Sequence, residues 1–263
     1  MSQPLLSILT PTFHAYPYLQ RAIRSVQAQD CPAWELLICP DDGADYKHLE
    51  RLDERIRVIP SYDSPGTGAG AARNRGLAVA RGECIAVLDD DDELEPNFVR
   101  AVLDQFRTED LFTVPTCYVD EAGELVRLIG VDSPVLSIEA FARMYGSLHV
   151  IGRRSTYIEY PDGFAQDVLH TCAVIDLAGG HLPVLRDTTY ICHLRKNSVC
   201  AVHQDIDAQY KRLAQCRYSW MSERDAAATR ALFERRQVAN QWFEIYGAAG
   251  HGYHDFIRDV VLG

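Results

Sequence analysis

Over the first hundred residues, short apolar runs alternate with segments of helical period. Leu5–Thr10 reads as a buried strand, Tyr16–Gln29 as a helix with Leu19, Ile23 and Val26 on one stripe, and Glu35–Cys39 as a second strand. The same pattern predicts a helix over Tyr46–Arg55, a strand over Ile56–Pro60, a glycine-rich loop, a helix over Ala69–Ala80 and a strand over Cys84–Leu88. Pro96 opens a helix that runs through Phe106, because proline is tolerated in a first turn whose N–H groups have no intrahelical partner. Strands this apolar, separated by helices, imply an α/β protein with a mostly parallel sheet covered by helices on both faces.

Beyond residue 110 the pattern is mixed. Strands are expected at Leu111–Tyr118, Leu125–Gly130, His149–Arg153 and Tyr190–Leu194, and helices at Ser137–Tyr145 and Phe164–Leu177. From about Asp205 the sequence turns helical, with Tyr210, Leu213, Trp220, Leu232, Val238, Trp242, Phe243 and Ile245 set among polar residues. These aromatic and aliphatic positions read as packing against the main domain or a second subunit, which would make a homodimer through the C-terminal helices. The expected organisation is a main domain over 1–204, with a ligand-binding half (1–110) and an acceptor half (111–204), and a helical extension over 205–263.

The most informative chemistry follows the strand at Cys84–Leu88, where Asp89-Asp90-Asp91-Asp92-Glu93 places four aspartates at one strand end. Ligands of parallel α/β sheets bind outside the carboxyl ends of the strands. Capping of the next helix by Asp92 or Glu93 would use one or two of these acids. A hard divalent cation, which takes one or two carboxylates plus phosphate oxygens, explains the rest. Asp41-Asp42-Gly43-Ala44-Asp45 forms a second acidic group after the second strand, readable as an Asp-Gly turn with a helix cap or as an acceptor for a nucleobase or ribose.

Gly66-Thr67-Gly68-Ala69-Gly70, with Asp89 about twenty positions on, resembles a dinucleotide fingerprint and leaves a nicotinamide-dependent oxidoreductase open. The loop begins late after its strand, however, and its small residues with Arg73 equally suit a helix N-terminus passing close to a diphosphate. No phosphate-loop motif of the GxxxxGK[ST] kind occurs.

Taken in order, Ser7-Ile8-Leu9-Thr10-Pro11-Thr12-Phe13, Leu19-x3-Ile23-x-Ser25-Val26-x2-Gln29, Asp41-Asp42-Gly43, Ala71-Ala72-Arg73-Asn74-x-Gly76 and Arg81-Gly82-Glu83-x5-Leu88 to Asp92 resemble the family 2 glycosyltransferases of the GT-A fold. The resemblance implies a Rossmann-like sheet and a nucleotide-sugar donor, usually linked to uridine diphosphate. It also implies a Mn²⁺ or Mg²⁺ ion held by Asp91, with Asp89 and Asp90 beside the ribose and diphosphate. Pro11, Thr12, Asp41 and Arg73 would line the nucleobase pocket.

More loosely, Asp162-Gly163-Phe164 and Gln166-Asp167-Val168-Leu169 resemble the acceptor segment, with Gln166 in place of the usual Glu and Asp167 as the catalytic base. Tyr190-Ile191-Cys192-His193 resembles the segment whose histidine, here His193, reaches the metal and diphosphate. Residues Arg195–Ser198 would close over the donor, and His170 is a secondary acceptor-side candidate. A single base implies inversion at the anomeric carbon. A non-catalytic relative of the fold stays open because of Gln166. The acceptor would be a small molecule, a lipid-linked sugar or a glycan.

Composition then narrows the classes. With 26 basic against 37 acidic residues and no basic cluster, nucleic-acid binding is disfavoured. Nine of those acids lie in the two strand-end segments, and without them the acidic excess falls from eleven to two, so the net charge is mostly a property of the candidate site. No window is apolar enough for a membrane span and no leader is evident, which predicts a cytoplasmic protein. The eight cysteines are dispersed among apolar residues, without a CxxC pair, and read as reduced thiols.

Overall fold

A computed structural model describes residues 4–61, 65–195, 205–246 and 252–262. Strand β1 (Leu6–Thr12) lies parallel to β2 (Trp34–Pro40) on one side and to β4 (Cys84–Val87) on the other, and β3 (Ile56–Val58) extends the sheet beyond β2. Beyond β4, the antiparallel β10 (Val150–Arg153) and then β6 (Leu111–Thr113) complete the order β3-β2-β1-β4-β10-β6.

Alternate residues of each central strand enter different cores. Leu6 and Ile8 of β1 pack with α1 (Tyr16–Gln27) and α3 (Phe98–Gln105), whereas Leu9 packs on the other face with α2 (Ala69–Val79) and α5 (Gln166–Leu177). Burial on both faces explains why these strands read as continuous apolar runs.

A second sheet, ordered β5-β12-β7-β8, stands beside the first. It comprises β5 (Glu93–Leu94), β12 (Tyr190–His193), β7 (Thr116–Val119) and β8 (Leu125–Ile129). A small ribbon pairs β9 (Val135–Leu136) with β11 (Leu182–Pro183). The single strand expected over 111–118 is in fact two, β6 and β7, in different sheets. Pro115 between them has no N–H for a ladder and marks the switch.

The helix expected over 46–55 is also corrected, since only Lys47–Arg51 is helical and as a 3₁₀ turn. Its ends are tied by side chains: Asp45 accepts the Lys47 N–H, Glu50 accepts the Val58 N–H, and Asp53 holds both the N–H and the guanidinium of Arg55. Those bonds turn the chain into β3 before a longer helix can propagate. The helix after Pro96 begins only at Phe98, and neither Asp92 nor Glu93 caps it. Helix α4 (Ile138–Ala142) is shorter than expected, with Ser137 as its N-cap.

The C-terminal region supplies α6 (Ile206–Ala214), α7 (Glu223–Tyr246) and α8 (Tyr253–Phe256). Helix α7 packs against α4, α5 and α6, and its Leu232 and Phe233 are fully buried in the main core. Packing onto the main domain thus accounts for part of the expected apolar stripe, while Trp220, Trp242 and Ile245 stay exposed. Among the described residues, no helix is long and apolar enough to cross a membrane. The seven described cysteines are free; Cys200 lies outside the described residues.

Candidate active site

The parallel strands β1, β2 and β4 deliver their carboxyl ends to one rim. Leu88 continues β4 by donating its N–H to the Leu9 carbonyl, and the chain then turns through residues 89–92. The four aspartates point to four different partners. Asp89 pairs with Arg73 at 2.5 Å and faces His149 Nε2 at 3.7 Å. Asp90 accepts the Phe13 N–H at 3.0 Å, and Asp91 forms an ion pair with Arg195. Asp92, which is buried, accepts from the Tyr190 hydroxyl at 2.7 Å and from the His193 N–H at 2.9 Å.

These partners set the charge of each acid. Burial works against ionisation of Asp89, but the Arg73 guanidinium with His149 beside it outweighs burial and holds the carboxyl below its usual range. Burial, reinforced by Asp91 and Asp89, pushes Asp90 up to about 7. Burial and Asp89 raise Asp91 despite Arg195, and burial with Asp91 and Asp89 raises Asp92 well above the ordinary value. The rim therefore carries more carboxylate than its own cations neutralise.

A stability effect follows from the sign of the Asp90 shift. A carboxyl raised in the folded state is fully tolerated below its unfolded value near 3.8 and costs stability as pH rises from there to about 7. In metal-free buffer, Asp90→Asn should stabilise the protein at pH 7.5 by about 1–2 kcal/mol, allowing for solvent screening. The gain should vanish near pH 4, as followed by urea unfolding at the two pH values.

The glycine-rich loop closes around Asp41. The Gly68 N–H donates to Asp41 Oδ2 at 2.7 Å, the Thr67 hydroxyl to Oδ1 at 2.5 Å, and Arg75 lies 3.5 Å from Oδ1. Gly66 and Gly68 take φ of +83° and +97°, a backbone that other residues rarely adopt. The loop is thus a turn wrapped on a carboxylate rather than a tight strand-to-helix turn of the dinucleotide kind. Asp41 sits beside the buried end of β1 at Pro11 and Thr12, and both of its oxygens are engaged in holding this loop.

Farther along the chain, Asn74 of α2 exchanges two hydrogen bonds with the backbone of Tyr160, at 2.8 and 2.9 Å, and so ties the segment leading to α5 against α2. Asp167 lies in the first turn of α5, where its Oδ2 accepts from the Ser147 hydroxyl at 2.6 Å. Arg73, His149, Tyr160, His170 and Arg236 all feel its charge. His170 is stacked on Tyr160 at 3.9 Å and bonded to the Ile158 carbonyl; burial drives it down to about 3. It is therefore a neutral packing group at physiological pH.

Arg73 is the hinge between the two sides, because it pairs with Asp89 while its charge acts on Asp167. It is 2% exposed, and its Nε and Nη1 have no hydrogen-bond partner among the described residues. Arg195 Nε and Gln166 Oε1 are likewise buried and unpartnered. Unused guanidinium donors at a strand-end rim suit an anionic ligand, since a buried donor left unmade is costly.

His193 and Asp91 have different side-chain partners. His193 Nε2 bonds Glu93 Oε2 at 2.6 Å while Asp91 engages Arg195. Of the Arg195–Ser198 loop, residues beyond Arg195 lie outside the described residues. In the sequence His149 is only the start of an expected strand, and Tyr190 only the first residue of the segment that resembles the family through His193. Tyr190 nevertheless bridges the acidic turn, accepting the Asp89 N–H at 2.9 Å and donating to Asp92. Its position beside the His193 motif was the available signal.

Among the described residues, no three His, Cys, Asp or Glu side chains converge as a self-sufficient metal cage. The donor set at the rim is hard carboxylate oxygen, and one of its members, Asp91, already binds a cationic group in Arg195. That set fits Mg²⁺ or Mn²⁺, which take few protein carboxylates and complete their shells with phosphate and water.

The sequence profile of glycosyl transferase family 2 matches residues 7–152, more than half of the chain. The Escherichia coli UDP-Glc:alpha-D-GlcNAc-diphosphoundecaprenol beta-1,3-glucosyltransferase WfgD is 40% identical over 95 residues, which is 35% of this chain and 37% of that protein. The E. coli chondroitin synthase is 34% identical over 145 residues, 52% of this chain and 20% of the synthase. The chain thus aligns with well under half the length of either relative. Residues 1–349 of S. aureus TarS, solved with UDP-GlcNAc, superpose with a TM-score of 0.64 at 18% identity, over 97% of this chain and 76% of that one. The fold is therefore shared across almost the whole chain.

Proposed function

The chain belongs to glycosyl transferase family 2, and from that premise we propose that it transfers a sugar, with inversion, from a UDP-linked donor to an acceptor hydroxyl in a metal-dependent reaction. Membership, together with a loop wrapped on Asp41, removes the nicotinamide reading of Gly66–Gly70. The observation that carries the proposal is Arg73: one guanidinium holds Asp89 at the strand-end rim and acts electrostatically on Asp167, and its buried Nε and Nη1 have no hydrogen-bond partner among the described residues and are available to an anion.

In this reading Asp89, Asp90 and Asp91 present the carboxylate rim, Pro11, Thr12 and Asp41 border the nucleobase, and Asp167 takes the proton of the attacking hydroxyl. Asp91 would hold Mn²⁺ or Mg²⁺, with His193, bonded to Glu93, as a further candidate ligand from the same rim. When bound, the ion supplies Lewis-acid stabilisation of the departing diphosphate. Ser147 holds Asp167 Oδ2 and so fixes the carboxylate at the start of α5, from which it would take the acceptor proton. Arg73 balances the charge of the two carboxylates on either side of it.

The UDP-Glc in the name of WfgD supports the choice of uridine, as does the UDP-GlcNAc with which the TarS fragment was crystallised. A cytoplasmic location suits such a donor, and a small-molecule, lipid-linked or glycan acceptor suits the cleft. Titration calorimetry tests the donor assignment. UDP is expected to bind in the presence of Mn²⁺ and to lose that binding in EDTA, whereas NAD should give no heat. Metal-independent UDP binding would remove the cation from the proposal, and NAD binding would remove the donor.

A further inference from the structure

Asp167 is held by a turn that is itself fixed from several directions. Residues 144–147 connect the end of α4 to β10, and Tyr145 within them takes a left-handed φ of +49°, a conformation that persists only where its surroundings enforce it. Four backbone groups of this turn are held by side chains. Tyr118 accepts the Ser147 N–H at 2.8 Å, and Thr116 donates to the Ser147 carbonyl at 3.0 Å. Arg127 donates to the Met144 carbonyl and Arg236 to the Gly146 carbonyl, both at 2.6 Å. A Cβ on Gly146 would lie 2.5 Å from the Tyr118 hydroxyl and 2.8 Å from Ile129, so the turn fits only glycine there. What this pinned turn delivers is the Ser147 hydroxyl, 2.6 Å from Asp167 Oδ2.

We infer that Ser147 and Arg236 are positioning residues for the base, a chain of contacts by which helix α7 fixes the Asp167 carboxylate. The inference rests on the proposed role of Asp167. Arg236 lies outside the 7–152 span of the family match and is 6% exposed, inside the core. Three side chains from the second sheet and one from α7 hold a four-residue turn whose Ser147 hydroxyl meets the carboxylate. A serine locked in this way orients the carboxylate, the supporting arrangement that a precisely placed base requires.

The test uses the full chain, with UDP release from UDP-glucose and from UDP-N-acetylglucosamine plus Mn²⁺ as the turnover readout and calorimetric UDP affinity as the control. Ser147→Ala is expected to lower kcat by about ten- to a hundredfold, the loss of one hydrogen bond to a charged group. UDP affinity should stay at the parent value, and Ser147→Thr should restore most of the rate. In an Asp167→Asn background the same Ser147→Ala change should cost nothing further, because the two residues act as one unit.

Arg236→Met should reproduce the kcat loss below its melting transition without weakening UDP, with Arg236→Lys recovering part of it. Parent-level kcat in Ser147→Ala, or an undiminished further loss in the Asp167→Asn background, overturns the positioning role of Ser147. Parent-level kcat in folded Arg236→Met overturns the link to α7. Failure of the underlying reading looks different, since Asp167→Asn would then itself turn over at the parent rate.

Discussion

Asp167→Asn is expected to reduce turnover by about 10²–10⁴, the range associated with losing a general base. The substitution is nearly isosteric and keeps an oxygen able to accept the Ser147 hydroxyl, so the start of α5 should be undisturbed. Arg73 keeps its ion pair with Asp89, and Mn²⁺-dependent UDP binding should match that of the parent protein. The loss therefore belongs in kcat, with the donor constant unchanged, and the UDP-release assay with calorimetry separates the two. Turnover at the parent level would mean that the proton goes elsewhere.

The second large effect is expected at the opposite wall. Asp91→Ala should weaken UDP binding in Mn²⁺ by about a hundredfold or more, as expected for removal of a metal ligand and its charge. EDTA should abolish the difference between the variant and the parent. The variant also frees Arg195 from its ion pair, so a residual electrostatic attraction for the diphosphate should remain and weaken with added salt. If Asp91→Ala binds UDP with Mn²⁺ as the parent does, the ion is held by other residues of the rim. The two variants fail in separable ways: Asp167→Asn keeps its UDP affinity and loses turnover, and Asp91→Ala loses metal-dependent UDP affinity.

The central sheet and its acidic rim were legible in the sequence because they follow from local pattern. Apolar runs of strand length bounded by helical stripes leave few arrangements, and four aspartates after a buried strand have few bland explanations. The two-residue strands β5, β9 and β11 were not legible, since periodicity needs more residues than they contain. The split of 111–118 turned on Pro115, whose missing donor matters only once a second sheet is there to receive β7. Site partners drawn from distant segments were hidden for another reason. Tyr190, His149 and Ser147 act by where the topology brings them, 101, 60 and 20 residues from Asp89, Asp89 and Asp167 respectively; His149 and Ser147 carry no local signature, and Tyr190 only its place at the head of the His193 segment. Asp41 was visible as an acid at a strand end, but its service to the glycine-rich loop follows from three hydrogen-bond donors that spacing alone does not reveal.

The antiparallel β10 has a consequence for how such chains diversify. It comes from beyond residue 110, yet it occupies the place next to β4, with Gly152 opposite Ile85 and Arg153 opposite Cys84. Gly152 has no room for a side chain, because a Cβ would meet Leu111 at 2.5 Å and the Asp110 carbonyl at 3.1 Å. Loops that hang from a sheet are exchanged at modest cost. Replacing everything after residue 110 would also remove β10 and β6 from the central sheet and bare the edge of β4, an invitation to mispairing with other chains. Recombination between the two parts of the chain therefore has its natural crossover points on either side of β10, with the strand left in place.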